Sequence, residues 1–311
     1  MSAAPSTLLT VLGAGAWGSV LAMLATRNQH TVRLWSRRGG LSLAEAIAET
    51  PLLVSAVSMK GVPEVAQQVK ALSLPSSTIL VSATKGLDPA TGMTAAQIWQ
   101  KTFPDHPLVV LSGPNLSKEI AAGLPAATVV SSHDEAAAQR VQRVFASERF
   151  RVYTNRDPVG TELGGTLKNV IAIAVGVCDG LNLGANAKAA LITRALTEIT
   201  RIGTHLGGEP ETFWGLSGLG DLLATCNSPL SRNYQVGIGL ARGKSLTAVL
   251  NEIEGTAEGV NTANVLADLA LREGIPTPIS LQVYLLLNQR ITPQQAVEAL
   301  MERDLKPEVW G

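Results

Sequence analysis

The sequence predicts an α/β protein in two parts. A doubly wound, mostly parallel sheet occupies residues 1–155, and an all-helical region follows over 156–311. Three observations carry that prediction. Short apolar runs alternate with amphipathic stretches as far as about Tyr153; a glycine turn follows the first run; and beyond Asn155 the apolar spacing is helical throughout.

The first apolar run, Leu8–Leu12, leads into Gly13-Ala14-Gly15-Ala16-Trp17-Gly18 and then into helical spacing from Val20 to Leu24. Strand, glycine turn and helix in this order are what a dinucleotide pyrophosphate requires. Gly13 permits the tight turn, Gly15 lets phosphates approach the backbone, and Gly18 lets the helix lie close on the strand. The helix N-terminus then offers free N–H groups to the anion. Further strands are predicted at Val32–Trp35, Leu52–Val57, Ile79–Ala83, Leu108–Leu111, Ala127–Ser131 and Phe150–Tyr153, with helices at 43–48, 63–72, 93–103, 116–122 and 135–145. Such βαβ units place a ligand beyond the carboxyl ends of the strands.

A boundary falls at Asn155-Arg156-Asp157-Pro158, where the residues have turn chemistry. Eight helices are predicted after it: 163–181, 187–206, 219–224, 234–242, 246–253, 260–272, 279–287 and 293–301. The most apolar stretch, Val170–Cys178, is nine residues long, too short by itself to span a bilayer, and reads as a buried helical segment.

Composition narrows the function. Lys+Arg and Asp+Glu both number 25, without a basic or acidic block, so nothing argues for nucleic acid or an anionic membrane as partner. Charged residues make up 16 % of the 311, below the usual share of about 25 %, which marks a core-rich protein with surface to spare for a possible homodimer. Cys178 and Cys226 form no CxxC pair and no His/Cys cluster, so no metal site is predicted and reduced thiols in a cytoplasmic protein are expected. Met1–Pro5 shows no secretory pattern.

Several polar residues converge on the predicted strand ends. Arg37 and Arg38 follow the second strand, where an acid selects NAD and an arginine accommodates a 2′-phosphate. Thr84-Lys85-Gly86 and Ser112-Gly113-Pro114-Asn115 end the next strands. Lys85 supplies a positive charge, and Asn115 is placed to cap the helix that follows. Lys168, behind Gly164-Gly165, is the leading acid/base candidate. Desolvation lowers an ammonium from its reference of about 10.4, and a three-unit depression, roughly 4 kcal/mol, would poise it near neutrality. Asp221 sits in Gly218-Leu219-Gly220-Asp221. Arg232, flanked by Ser231 and Asn233, has the planar fork that grips a phosphate. Glu258, in Gly255-Thr256-Ala257-Glu258-Gly259, reads on physical grounds as an exposed loop acid.

At these residues the chain resembles the bacterial-type NAD(P)-dependent glycerol-3-phosphate dehydrogenase family. The glycine turn, Ala83–Leu87, Ser112–Pro114, Lys168–Ala172, Gly184–Asn186, Leu191–Arg194, Gly218–Leu222 and Ser231–Asn233 all match its motifs in order. The resemblance implies an N-terminal Rossmann domain, a C-terminal domain like that of 6-phosphogluconate dehydrogenase, and reversible reduction of dihydroxyacetone phosphate to sn-glycerol 3-phosphate with NADPH or NADH, for phospholipid synthesis. It further implies cofactor contacts from Trp17, Arg37, Lys85, Ser117, Arg232 and Glu258. Substrate contacts fall to Lys85, Gly113, Asn115, Lys168, Asp221, Ser231, Arg232 and Asn233, with Lys168 moving the proton. Two departures stand out. Only fifteen residues separate Trp35 from Pro51, where most members carry a longer insert, and Thr256 replaces an aliphatic residue. The β-hydroxyacid dehydrogenases share the architecture but pair the helix lysine with an Asn four positions on, where Ala172 stands here.

Overall fold

The computed structural model describes residues 6–305 and 307–308, so Met1–Pro5 lies outside the described residues. Seven strands, β1 (Leu8–Leu12), β2 (Thr31–Trp35), β3 (Leu52–Ser55), β4 (Ile79–Ser82), β5 (Leu108–Ser112), β6 (Ala126–Ser131) and β7 (Phe150–Asn155), form one sheet in the order β2-β1-β3-β4-β5-β6-β7. All neighbours are parallel except β5 and β6, so the sheet is mostly parallel. The order reverses between β1 and β3. That switch point opens a crevice at the strand carboxyl ends.

Alternate side chains sort to opposite faces, as strand pleating requires. Leu9, Val11, Leu52, Val54, Ile79, Val81, Val109 and Leu111 pack under α1 (Ala16–Arg27), α5 (Ser117–Ala121) and α6 (Glu135–Phe145). Leu12, Leu53 and Leu80 pack on the other face under α2 (Leu43–Ile47), α3 (Val62–Lys70) and α4 (Ala95–Thr102). With both faces covered, the central strands are near-continuous apolar runs. In the shortened segment after β2, α2 is a single turn with a Ser42/Glu45 capping box, and its end is held by Arg33 Nη1 donating to Ala48 O at 2.6 Å.

The helical half is built on α7 (Pro158–Gly180), which Asp157 starts by accepting from Gly160 N and Pro158 supports as a first-turn residue. It begins five residues earlier than the apolar spacing predicts, because this first turn packs on both sides rather than being patterned like a surface helix: Glu162 is buried against Ser82 of the sheet half, while Val159 and Gly160 pack on the helical half. Val170–Cys178 is buried as expected. The helix that holds it runs 23 residues, so length alone does not exclude a membrane span; 83 % of its most apolar window is packed inside the protein. Around it lie α8 (Gly184–His205), α9 (Asp221–Cys226), α10 (Arg232–Ala241), α11 (Leu246–Glu252), α12 (Glu258–Glu273), α13 (Pro278–Leu287) and α14 (Pro293–Met301). Buried apolar side chains such as Val170, Ile171, Ile173 and Val175 join α7 to two separate clusters, each contributing about 1.5–3 kcal/mol of transfer free energy.

Candidate active site

The glycine turn sits at the switch point. Gly13 has φ +109°, which only glycine adopts without strain, and its N–H donates to Trp35 O at 2.8 Å. A Cβ on Gly18 would stand 1.8 Å from Gly13 O and 3.3 Å from the Ala56 side chain, so α1 lies directly on the turn and on the end of β3. A Cβ on Gly15 would meet nothing within 4 Å. Gly15 also begins α1 with no side chain capping its N–H groups. Open space beside uncapped helix donors fits a dinucleotide pyrophosphate. Ala16 is exposed at this end, while Trp17 is half-buried against the core. Arg37 and Arg38 are exposed beyond β2. Arg37 lies 3.7 Å from Glu64 of α3, a solvated pair that binds it weakly.

Two lysines converge on one carboxylate. Lys85, just past β4, donates from Nζ to Asp221 Oδ2 at 2.5 Å and to Gly113 O at 2.9 Å. Lys168, on α7, donates from Nζ to Thr225 Oγ1 at 2.6 Å and lies 3.2 Å from Asp221 Oδ1. The Thr225 hydroxyl is itself 3.3 Å from that oxygen. Asp221 is 2 % exposed and Lys168 7 %, so this is a nearly dry cluster with one positive charge in excess. Burial pushes the Lys168 ammonium down to about 8. Asp221 opposes that shift and the Lys85 charge reinforces it. Gly165 makes room for the cluster, since a Cβ there would stand 2.3 Å from Ser112 Oγ and 3.2 Å from Lys85 Cε.

The remaining predicted residues take varied positions. Gly113 has φ +141° and turns its carbonyl to Lys85. Asn115 does not cap α5, contrary to expectation: Leu116 occupies the cap position without a side-chain bond. The side chain of Asn115 donates instead to Thr128 Oγ1 at 3.0 Å, and its Oδ1 is buried without a partner in the protein. Ser117 opens α5 and is partly buried. Ser231 caps α10, accepting from Tyr234 N at 3.2 Å. Asn233 is buried, donating to Asn169 Oδ1 at 2.9 Å and accepting from Gly259 N at 3.0 Å, so it ties α7, α10 and α12 together.

Glu258 is not the exposed loop acid its composition suggested. It opens α12, is only partly exposed, and accepts from Met59 N at 3.2 Å across the crevice. Burial raises its carboxyl above the usual range, while Met59 N and the neighbouring Arg232 pull it down. Arg232 is exposed on the same side, beside Gly255. Thr225 and Asn169 escaped the sequence reading. Only the i, i+4 spacing of Thr225 from Asp221 signals that they share a helix face. A separate apolar cavity of about 530 Å³ lies between α8, α13 and α14 and is lined by none of these residues.

A phosphate-ready glycine turn on the sheet half, with Lys85 of that half paired through Asp221 to the buried Lys168 and an exposed Arg232 on the helical half, defines a nicotinamide-dependent dehydrogenase of the two-part kind. Comparison narrows the class. The family profiles described as the N-terminus and C-terminus of NAD-dependent glycerol-3-phosphate dehydrogenase match residues 8–50 with 40–138, and 157–298. A glycerol-3-phosphate dehydrogenase [NAD(P)+] from Acaryochloris marina is 66 % identical over 303 residues, covering 97 % of this chain and 98 % of the relative. The crystal structure of glycerol-3-phosphate dehydrogenase from Coxiella burnetii matches with a TM-score of 0.92 at 34 % identity, covering 96 % of this chain and 99 % of that one. The chain belongs to the NAD-dependent glycerol-3-phosphate dehydrogenase family. A 3-hydroxyisobutyrate dehydrogenase from Mycobacterium tuberculosis shares only the fold, with a TM-score of 0.53 and 15 % identity over 95 % of this chain and 99 % of that one.

Proposed function

We propose that this chain reversibly reduces dihydroxyacetone phosphate to sn-glycerol 3-phosphate with NADPH or NADH, supplying the backbone of glycerophospholipids. The observation that carries the reading is the Lys85–Asp221–Lys168 cluster, which joins the two halves at the strand ends in a chain of this family. The glycine turn (Gly13, Gly15, Ala16, Trp17, Gly18) holds the pyrophosphate, Arg37 and Arg38 face the adenosine end, and Lys85, Ser117, Arg232 and Glu258 complete the cofactor contacts. When bound, the reduced nicotinamide supplies the hydride for C2 of the ketone.

The protein's own residues handle orientation, charge and the proton. Lys168, charged below about pH 8, donates a proton to the oxygen that becomes the hydroxyl and takes it back in the reverse direction. Lys85, paired with Asp221, stabilises negative charge developing beside it. Gly113 and Asn115 border the substrate on the sheet side. Arg232 holds the phosphate, joined by the hydroxyl proton of Ser231 and the second amide proton of Asn233, both left free by the bonds those side chains already make.

The division into cofactor and substrate domains is placed at 155/156, between β7 and α7. The chain acts in the cytoplasm without membrane insertion, since its apolar helix is already packed inside the protein, and as a homodimer. One assay tests the central reading. Oxidation of NADPH and of NADH, followed at 340 nm with the purified chain, is expected to depend on dihydroxyacetone phosphate with at least one of the two; oxidation that ignores it, or none with either cofactor, refutes the assignment.

A further inference from the structure

Glu162 is a buried acid that this mechanism leaves unused. It lies on α7, is 4 % exposed, and among the described residues no lysine, arginine or histidine is one of its hydrogen-bond partners. Burial without a cation pushes its carboxyl up to about 7. A carboxyl kept in such a place needs a reason other than net stability.

The reason lies in what its Oε1 touches. That oxygen accepts from Ser82 Oγ at 3.2 Å and from Ala96 N at 2.8 Å. Ser82 is the last residue of β4 and Ala96 the second of α4, so one atom gathers the two ends of segment 83–95. Lys85 lies on that segment. One turn further along α7, Thr166 Oγ1 accepts from Gly86 N at 3.1 Å, holding the segment beside Lys85 as well. Lys168 follows two residues later on the same helix.

We infer that Glu162 is a positioning residue for Lys85: it pins both ends of the Lys85 segment to the helix that carries Lys168, and so sets the spacing of the two ammonium groups across Asp221. The functional consequence rests on the reaction proposed above; the clamp itself does not.

The test is a double-mutant cycle. Glu162→Met is expected to lower kcat/KM for dihydroxyacetone phosphate about tenfold while NADPH Kd, read by fluorescence, stays within about twofold. Glu162→Gln, which keeps an oxygen acceptor at the same reach, is expected to recover most of that loss. In a Lys85→Met background, adding Glu162→Met is expected to cost less than about twofold. Equal losses in both backgrounds, or no loss in either, overturn the inference.

A readout independent of turnover separates the clamp from the reaction. Acetylation of Lys85 by acetic anhydride, mapped by mass spectrometry on the full chain, is expected to quicken several-fold in Glu162→Met and not in Glu162→Gln. An unchanged rate in Glu162→Met overturns the clamp. If Lys85 labelling responds but the wild type ignores dihydroxyacetone phosphate, the proposed reaction fails and the clamp stands. Should Glu162→Met not fold, Glu162→Asp, with the same charge and one methylene less reach, is expected to show the same Lys85-dependent signature at smaller size, and its absence is equally decisive.

Discussion

Lys168 concentrates the physics of the site in one side chain. Removing an ammonium from water disfavours its charge, and the shift to about 8 is what survives after Asp221 has offset part of that cost. The group therefore exchanges its proton close to neutral pH, where a surface lysine would hold it. Lys168→Met is expected to lower kcat by about 10²–10⁴ with cofactor Kd little changed; near-normal turnover removes the assignment. The pH dependence has opposite signs in the two directions. Ketone reduction needs the charged form, so its kcat/KM is expected to fall as pH rises through about 8, while alcohol oxidation needs the neutral form and is expected to rise through the same value. Asp221 raises the Lys168 pKa, so Asp221→Asn is expected to move both inflections to lower pH by about 1 unit or more. Inflections that stay in place would disconnect the carboxylate from the titration. Removing Asp221 also leaves the buried Lys168 ammonium and the partly buried Lys85 ammonium without their counter-ion, so this variant is expected to lose stability as well.

At the scale of elements, the glycines of the turn divide into two physical kinds. A methyl at Gly18 collides with the carbonyl of Gly13, whereas one at Gly15 enters open space with an ordinary backbone conformation. Gly18→Ala is expected to destabilise the protein by about 2–3 kcal/mol, visible as a drop of several degrees in Tm. Gly15→Ala is expected to leave Tm nearly unchanged and to weaken NADPH binding about tenfold or more, since the methyl occupies the space facing the helix donors. Equal Tm losses in the two variants would show that Gly15 is structural. Element types were legible because β1 to β7 are short apolar runs between turn residues, and the helices carry a 3.6-residue spacing. Boundaries were less legible where burial replaces pattern: Pro158–Glu162 belongs to α7, with Glu162 packed on the sheet half and Val159 on the helical half, and no amphipathic stripe announces that. Asn115 shows the reverse failure. Its residue type favours a cap, but Thr128 Oγ1 offered a partner from a neighbouring strand.

At the scale of the whole molecule, the crevice exists because the two halves share polar contacts as well as apolar ones. Glu258 reaches from α12 to Met59, Lys85 from the sheet to Asp221, and Glu162 from α7 to Ser82. The proposed cofactor choice belongs to this scale, since Arg37 and Arg38 are exposed just beyond β2. Arg37→Ser/Arg38→Ser is expected to reduce kcat/KM for NADPH about tenfold relative to NADH; an unchanged ratio means the arginines are only solvated. The order of strands and helices, the glycine turn and the candidate lysines, arginine and aspartate follow from the amino-acid order alone, because they rest on local spacing and on motifs contiguous in the chain. Which lysine meets which oxygen is another matter. The bond of Lys168 to Thr225, the sharing of Asp221 with Lys85 and the burial of Glu162 join residues 57 to 136 positions apart, and pKa values depend on the desolvation that such meetings impose. Only the packed tertiary structure sets those distances, since no local rule of a chain specifies how far from water its distant segments will bring one another.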